Sequence, residues 1–429
     1  MNIIERGKEF VQSLSELMRR TAKDWRRCPY CSSTLTHKNG SYMRHPWVIG
    51  GRKAVRVQRH LCEGCGHSYS EQSALWVPGS WYAREVHRMA VDHWQHAGSS
   101  LRRTGDMVRS WVGRQERWLI WRPFDMAPPP ELCCKLCSST IHRWLDRAGQ
   151  VARQTVAGQL EGIGATEEVG ADGLWVRLRG GAKRVVLMVV DSVSGVVWPP
   201  VVALGEECEE SWQALFERAK LAGLELERLR GITSDGAQGL LAYVSRALYW
   251  VEHQRCVWHL WRNLGRLMRR AASQATQGLA AELAKEVKRQ LLGELNSLVR
   301  GVIDAHRYDE AEKALARLQA HSLGASLAQA LIEQWDRLLV YLMDYCRGLQ
   351  RVSPEWYWRD FRLRLSRGRN HGSELRFERA ALVWAIYRNF TPAQWRSERK
   401  RHYRYPGQSP LQVAGAPPGN ISYLDALGV

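Results

Sequence analysis

The chain has 429 residues, 45% of them hydrophobic, with 62 Lys and Arg against 43 Asp and Glu, a formal net charge of +19 and a sequence pI ≈ 9.8. That length supports two or three domains with cores of their own, and that charge favours a polyanionic partner, nucleic acid, over an acidic small molecule. No apolar run reaches the length of about 18 residues needed to span a bilayer, and the opening MNIIERGKEFVQSLSELMRR reads as a charged amphipathic helix and not a signal peptide, so no membrane partner is expected and a cytoplasmic, nucleoid-associated protein is.

In an intracellular chain the ten cysteines are expected to be thiols or metal ligands and not disulfides. Four of them form two C-x-x-C pairs, Cys28 with Cys31 in RRCPYCSS and Cys62 with Cys65 in HLCEGCGHSY, separated by 30 residues rich in Lys, Arg and β-formers. Each pair turns two sulfurs to one side, Gly64 and Gly66 permit the tight backbone, and four thiolates make a closed tetrahedral set for Zn²⁺, so residues 1–75 read as an N-terminal helix and a zinc ribbon. The segment has few large apolar residues, and metal binding would supply the missing stability, on the order of 10 kcal/mol for a structural site.

Residues 76–160 change period. SWYAREVHRMAVDHWQHA at 80–97 has apolar residues at helical spacing, and GSSLRRTGDMVRSWVG supplies Gly98, a Ser cap and a second short helix. Beyond the proline-rich RPFDMAPPP, the stretch LCCKLCSSTIHRWLDRAG offers a short helix, a Ser-Ser-Thr cap and a helix carrying Arg143 and Trp144. Two helices joined by a brief turn in a basic context suggest a helix-turn-helix that enters a major groove, with Arg143 on DNA. An ordinary helical bundle fits the same pattern. Cys133, Cys134 and Cys137 are expected to be small core hydrophobes.

From 161 the pattern is strand-like. EEVGADGLWVRLRG, AKRVVLMVVDSVSG and VVWPPVVAL read as an antiparallel meander with turns at Gly180-Gly181 and Ser194-Gly195. A helix in ECEESWQALFERAKLAG, a strand ending at Asp235-Gly236, a helix to about 247 and the strand LYWVEHQR complete a β-β-β-α-β-α-β order, a mixed α/β layer with Asp172 in the first strand and Asp235 after the fourth. Taken alone, either aspartate also fits a turn, and Asp191 before a Ser/Gly turn needs no other role. Two carboxylates on neighbouring strands repel unless a cation neutralises them, and hard oxygen ligands select Mg²⁺ or Mn²⁺, a pair of which could activate a nucleophile against a phosphate.

The arrangement resembles the DDE transposases of the Mutator-like superfamily and their bacterial insertion-sequence relatives. In that family a ribonuclease-H-like core carries one Asp on the first strand, one after the fourth, and a C-x-x-H about twenty residues later; here Cys256 and His259 in QRCVWHLWRNL follow Asp235 by 21 and 24 positions. The resemblance implies a third acid on a late helix in an N-x-x-x-E phrase, matched by Asn370 and Glu374, and a closing phrase like GQSPLQVAG. It also implies a catalytic domain at 161–405 interrupted by a helical insertion at about 265–365, and a tail at 406–429. By resemblance, Asp172, Asp235 and Glu374 hold Mg²⁺ (or Mn²⁺), and Cys256, His259 and Asn370 are family markers, His259 able to meet a phosphate, a strand or an acid. Arginines gather at 362–369 and 397–404; Arg364, Arg367, Arg369, Lys400 and Arg401 are candidates for phosphate contacts, though each also fits a solvated helix face. Trp356 and Trp358 could stack on an unpaired base, or belong to the core.

The expectation is therefore a transposase with a ribonuclease-H-like mixed sheet. It would bind both ends of a mobile element and target double-stranded DNA, as a homodimer or higher oligomer, and cleave and transfer strands with a divalent metal. A catalytically silent DNA-binding regulator and a ribonuclease-H-like nuclease are the alternatives; the presence of all three acids speaks against the first, and a ribbon plus helix-turn-helix against the second.

Overall fold

The computed structural model describes residues 27–71, 77, 79–112, 136–160, 162–163, 167–203, 205–343, 346, 351, 355–366, 371–392, 407–416 and 422–429. The sequence readings for the amphipathic N-terminal stretch, Cys133, Cys134, Arg367, Arg369, Asn370, Lys400 and Arg401 lie outside the described residues, as does the side chain of Trp356. Two compact units emerge. One comprises Met1–Ile163, Leu178–Gly181 and Asp360–Val429, the other Gly164–Arg177 and Ala182–Arg359.

The first unit opens with a small antiparallel sheet. Strand β1 (Thr36–Arg44) pairs with β4 (Val55–Cys62), which pairs in turn with β5 (Ser68–Ser70); β2 (Trp47–Val48) and β3 (Gly51–Arg52) form a separate short ribbon. Along β4 only Val57, His60 and Cys62 are buried, too little apolar surface to stabilise such a sheet unaided. Helix α1 (Arg84–Ala97) buries Val86, Ala90, Val91 and Trp94 at helical spacing and stops at Gly98, whose φ of +55° is the left-handed turn that glycine adopts without strain. Helix α2 (Leu101–Val112) follows, and α3 (Ser138–Leu160) packs against both α1 and α2.

The second unit is built on a five-stranded mixed sheet. Strands β6 (Glu168–Arg177), β7 (Lys183–Asp191) and β8 (Val201–Ala203) form the antiparallel meander expected, and β9 (Gly231–Ser234) and β10 (Glu252–Arg255) add parallel to β6, giving the order β10-β9-β6-β7-β8. The run RVVLMVV in β7 is β-branched and buried from Val185 to Val190, the pattern of a strand covered on both faces. Its end is a turn, as expected: Asp191 Oδ1 accepts from the Val193 amide at 3.1 Å, the Ser194 amide at 2.7 Å and the Ser194 hydroxyl at 2.7 Å. Helices α4 (Glu209–Leu221) and α5 (Gln238–Ala247) flank β9 in the chain, and α6 (Val257–Ala275) leaves β10. The long stretch beyond is helical, with α7 (Ala281–Ile303), α8 (Tyr308–Ala320) and α9 (Ala325–Ile332) closing on α6 around Leu264, Met268, Leu295, Val299, Leu318 and Leu331.

The last long helix, α10 (Glu374–Phe390), returns to the first unit and packs along α3. Ser373 caps it, accepting the Arg376 amide, and ten of its residues from Phe377 onward are buried. Gly149 makes this packing possible, since a β-carbon there would stand 2.5 Å from Arg379 Cβ. No described helix is long and apolar enough to cross a membrane.

Candidate functional site

The four N-terminal cysteines converge. Cys28 and Cys31 lie on the turn that precedes β1, Cys62 ends β4 and Cys65 lies in the turn to β5. Cys28 Sγ is 3.5 Å from Cys65 Sγ and Cys31 Sγ is 3.5 Å from Cys62 Sγ, and all four sulfurs fall within 4.8 Å of one another. A zinc tetrahedron with Zn–S of about 2.3 Å has S···S edges of about 3.8 Å, so the set has the size of such a site. Backbone donors support it. The Tyr30 amide points at Cys28 Sγ from 3.4 Å, and Gly66, with φ +70°, donates to the Cys62 carbonyl at 2.9 Å. Two of the thiols are electrostatically unequal: burial pushes Cys28 up but the amides of Tyr30 and Cys31 outweigh it and hold the thiol at about 7, whereas at Cys65 the His67 amide is outweighed by burial and by the neighbouring sulfurs, which push it up to about 12.

The second cluster is in the mixed sheet. Asp172 is 2% exposed at the middle of β6, opposite Met188 on β7, and its Oδ1 accepts the Gly173 amide at 2.9 Å. Asp235 follows the last residue of β9, and its Oδ1 accepts the Ala237 amide at 3.0 Å. Because β6 and β9 are adjacent and parallel, the two carboxylates come to one place. His259 joins them. Donor atoms of Asp172, Asp235 and His259 lie within 4.8 Å of one another. The C-x-x-H pair thus divides its labour: Cys256 is fully buried as the N-cap residue of α6, donating its amide to the Ser234 carbonyl at 2.7 Å and accepting the Leu260 amide at 3.1 Å, and this ties α6 to the end of β9 so that His259 in the first turn faces the acids.

Two further charged groups lie near Asp235. Glu207, in the loop before α4, has its carboxyl pushed up to about 7, by burial first and then by the charge of Asp235, against an opposing contribution from Trp212. Arg255, on β10, is drawn down by burial and held up by Asp235, and a β-carbon on Gly236 would stand 2.7 Å from its Nη1. Neither was identified from the sequence, where Glu207 is one acid of the run EECEE and Arg255 one arginine among many.

Glu374 is the first residue of α10, half-buried, with Glu378 one turn on, and it belongs to the first compact unit. Arg143 is exposed on α3, its guanidinium 3.2 Å from Thr140 Oγ1. Arg364, expected from the sequence as a candidate phosphate contact, is instead buried within its own unit. It is 9% exposed, paired with Asp360 and the Gln95 carbonyl and lying 5.1 Å over the Tyr387 ring, because Asp360 four residues earlier offers it a partner within its own turn. Cys137, expected in the core, is exposed instead at the start of α3, where its sulfur is 2.9 Å from Ser139 Oγ. Trp358 is fully buried, which is the core reading.

Compared with known families, residues 171–279 match the profile described as Transposase, Mutator family. The matched stretch is about a quarter of the chain and runs from the strand bearing Asp172 to just past α6, so it includes Asp235, Cys256 and His259. None of the curated proteins matches the chain significantly. Over that stretch the chain is similar to Mutator-family transposases.

Proposed function

We propose that this chain is a transposase that binds the two ends of a mobile element through its basic N-terminal unit and cleaves and transfers DNA strands at a divalent-metal site formed around Asp172 and Asp235. The observation that carries the reading is the meeting of Asp172, Asp235 and His259 inside the segment that matches the transposase family. The mixed sheet with its parallel β10-β9-β6 half is compatible with a ribonuclease-H-like core.

The donor set fits a hard divalent cation. Two carboxylates, one of them almost fully buried, repel each other and are stabilised by a cation, and the imidazole of His259 inclines the set toward Mn²⁺ as readily as Mg²⁺. When bound, such an ion supplies charge to the phosphate oxygens and acidifies the attacking water or 3′-hydroxyl. Asp172 and Asp235 would hold it, fixed by the amides of Gly173 and Ala237, and His259 would complete the set or hold a phosphate oxygen. Glu374 is the proposed third acid, on the pattern of the family. The four cysteines would hold Zn²⁺ as a closed structural site with no position left for chemistry, in a zinc ribbon. Helices α1 to α3 would form the helix-turn-helix region, with Arg143, Arg367, Arg369, Lys400 and Arg401 on phosphates. Arg364 has no part in this, its guanidinium being committed to Asp360. Two element ends call for a dimer or a higher oligomer, acting at the nucleoid.

The test is a strand-cleavage and joining reaction on duplexes bearing the DNA that flanks the coding region, with Mg²⁺ or Mn²⁺. Wild-type protein should nick at the element end and join it to target DNA. Asp172→Asn and Asp235→Asn should bind the same duplex and do neither; cleavage by both variants at the wild-type rate would overturn the reading.

A further inference from the structure

We propose that the exposed face of α6 is a track for a DNA strand leading to the acidic site, with Trp258 as the platform on which an unpaired base stacks beside it. The assignment rests on the reading of Asp172 and Asp235 as the strand-cleaving site, and it places the contact on a helix outside the basic N-terminal unit.

Helix α6 has two faces. Val257, Leu260, Leu264 and Met268 are buried at helical spacing in the core shared with α7, α8 and α9. The opposite face begins at His259, whose ring reaches the two aspartates, and continues through Asn263, Arg266 and Arg270 at i+4, i+7 and i+11, one line along the helix. Arg262 and Arg269 flank that line, and all five residues beyond His259 are exposed. With a rise of about 1.5 Å per residue the line from His259 to Arg270 is about 17 Å long, the axial length of about five base steps. At its far end α7 adds a cation, where Lys288 Nζ donates to Ser273 Oγ at 2.8 Å.

The charge on this face is uncompensated. Between Val257 and Ala275 the helix has four arginines and no Asp or Glu. Arg262, Arg266 and Arg270 recur every four residues, so like charges stand one turn apart, which destabilises a helix left to itself. Among the described residues no carboxylate pairs with any of the four, whereas the helices that follow do pair their cations, Arg289 with Glu286 on α7 and Lys313 with Asp309 on α8. A face that needed only solvation gains from mixed signs, as those two helices have; a face that keeps one sign from the acidic site outward suits a polyanion.

Trp258 stands where the track meets the site. It is 39% exposed, its ring is edge-on to that of His259 with centroids 4.8 Å apart, and Arg262 lies 5.7 Å over it. An exposed indole with a guanidinium beside it combines the stacking surface and the cation that hold an unpaired nucleotide.

The full chain, with Mg²⁺ and Mn²⁺ withheld so that nothing is cut, is mixed with a duplex ending in a short single-stranded 3′ tail that carries 2-aminopurine. Arg262→Gln, Arg266→Gln and Arg270→Gln together should lower the slope of log affinity against log salt by about two to three, at about 0.7–0.9 per lost phosphate contact. Arg289→Gln, Lys313→Gln and Arg317→Gln together remove equal charge from α7 and α8 and should leave the slope near the wild-type value. The thermal midpoint of the α6 triple variant should equal or exceed that of wild type, because repulsion along the helix is relieved. Trp258→Ala should abolish the quenching of 2-aminopurine that wild type produces, and Trp258→Phe should keep part of it. Equal slopes in the two triple variants would overturn the track, and quenching unchanged in Trp258→Ala would overturn the platform. Tighter binding of the same tail made of RNA would overturn DNA as the occupant. Cleavage by Asp235→Asn at the wild-type rate once Mn²⁺ is added would instead overturn the strand-cleaving reading, whatever the slopes.

Discussion

Helix α10 owes its place along α3 to a missing side chain, and restoring that side chain should unseat it. A β-carbon at Gly149 would stand 2.5 Å from Arg379 Cβ, 2.6 Å from the Arg379 carbonyl oxygen and 2.7 Å from its carbonyl carbon. Two of those atoms are helix backbone and cannot rotate away, so Gly149→Ala must push the helices apart by about 1 Å to regain contact near 3.5 Å. The same crossing carries the Asp146–Arg379 ion pair at 2.9 Å, which would lengthen with it. Alanine in place of a mid-helix glycine ordinarily gains up to about 1 kcal/mol, whereas overpacking costs about 1–3 kcal/mol, so the clash should prevail and leave the variant about 1–2 kcal/mol less stable. Gly158 lies on the same helix with nothing within 4 Å of its would-be β-carbon, so Gly158→Ala should keep the propensity gain. The two variants should therefore differ by about 2–3 kcal/mol in urea unfolding, with faster amide exchange across α3 and α10 in Gly149→Ala only. If Gly149→Ala proves as stable as Gly158→Ala, the close crossing does not exist. Since α10 begins at Glu374, that result would also undo the placement of this acid.

Acid should destabilise the chain through buried histidines: burial pulls His87 and His253 down to about 3 and His371 to about 4. The unfolded chain, with imidazoles near 6.5, takes up more protons below that pH, so stability is lost as pH falls from 6.5 toward these values, by up to about 2 kcal/mol per residue at pH 5. His87→Gln should flatten the fall in urea midpoint between pH 7 and pH 5, and an unchanged slope would contradict the burial of a neutral ring against Trp144. Elemental analysis of the full chain should find zinc that Cys28→Ser and Cys62→Ser lose together with amide protection in β1 and β4; equal protection without zinc would sink the structural role. Neutralising Lys400 and Arg401 should reduce the slope of log affinity against log salt by about 0.9 per lost phosphate contact, without altering preference among sequences. Glu374→Gln should lower cleavage by about a hundredfold or more with DNA binding intact, while Glu378→Gln stays near wild type; the reverse pattern would move the third acid by one turn.

Much of the sheet was legible because its strands have local causes. The β-branched run of β7, the Gly180-Gly181 turn and the side-chain-bonded turn at Asp191 are each set by residues within a few positions, and they bring out the meander and the strand carrying Asp172. The approach of Asp172 to Asp235 required one further step, parallel pairing of β6 with β9. His259 was visible only as half of a spacing pattern, since its arrival at the acids depends on the Cys256 amide bonding to the Ser234 carbonyl. Glu207 was hidden for a similar reason: its position comes from Gly173 and Gly239, 34 residues before it and 32 after it, neither remarkable in the sequence. The burial of Arg364 had a sequence signal, Asp360 one turn earlier, outweighed by the many arginines around it. The exposure of Cys137 had none, as a thiol near a helix start suits core and surface alike.

The most direct measurement is localised backbone cleavage by iron. Fe²⁺ substituted for Mg²⁺ in the full chain, with ascorbate and peroxide, releases short-lived oxidants that cut the polypeptide beside the bound ion. If Asp172, Asp235 and His259 surround that ion, as their donor atoms within 4.8 Å imply, fragments should end near residues 172, 235 and 259 and disappear when excess Mg²⁺ competes or when Asp235 is changed to Asn. Cuts elsewhere in the chain, or the same cuts in Asp235→Asn, would contradict a metal-dependent site at this cluster.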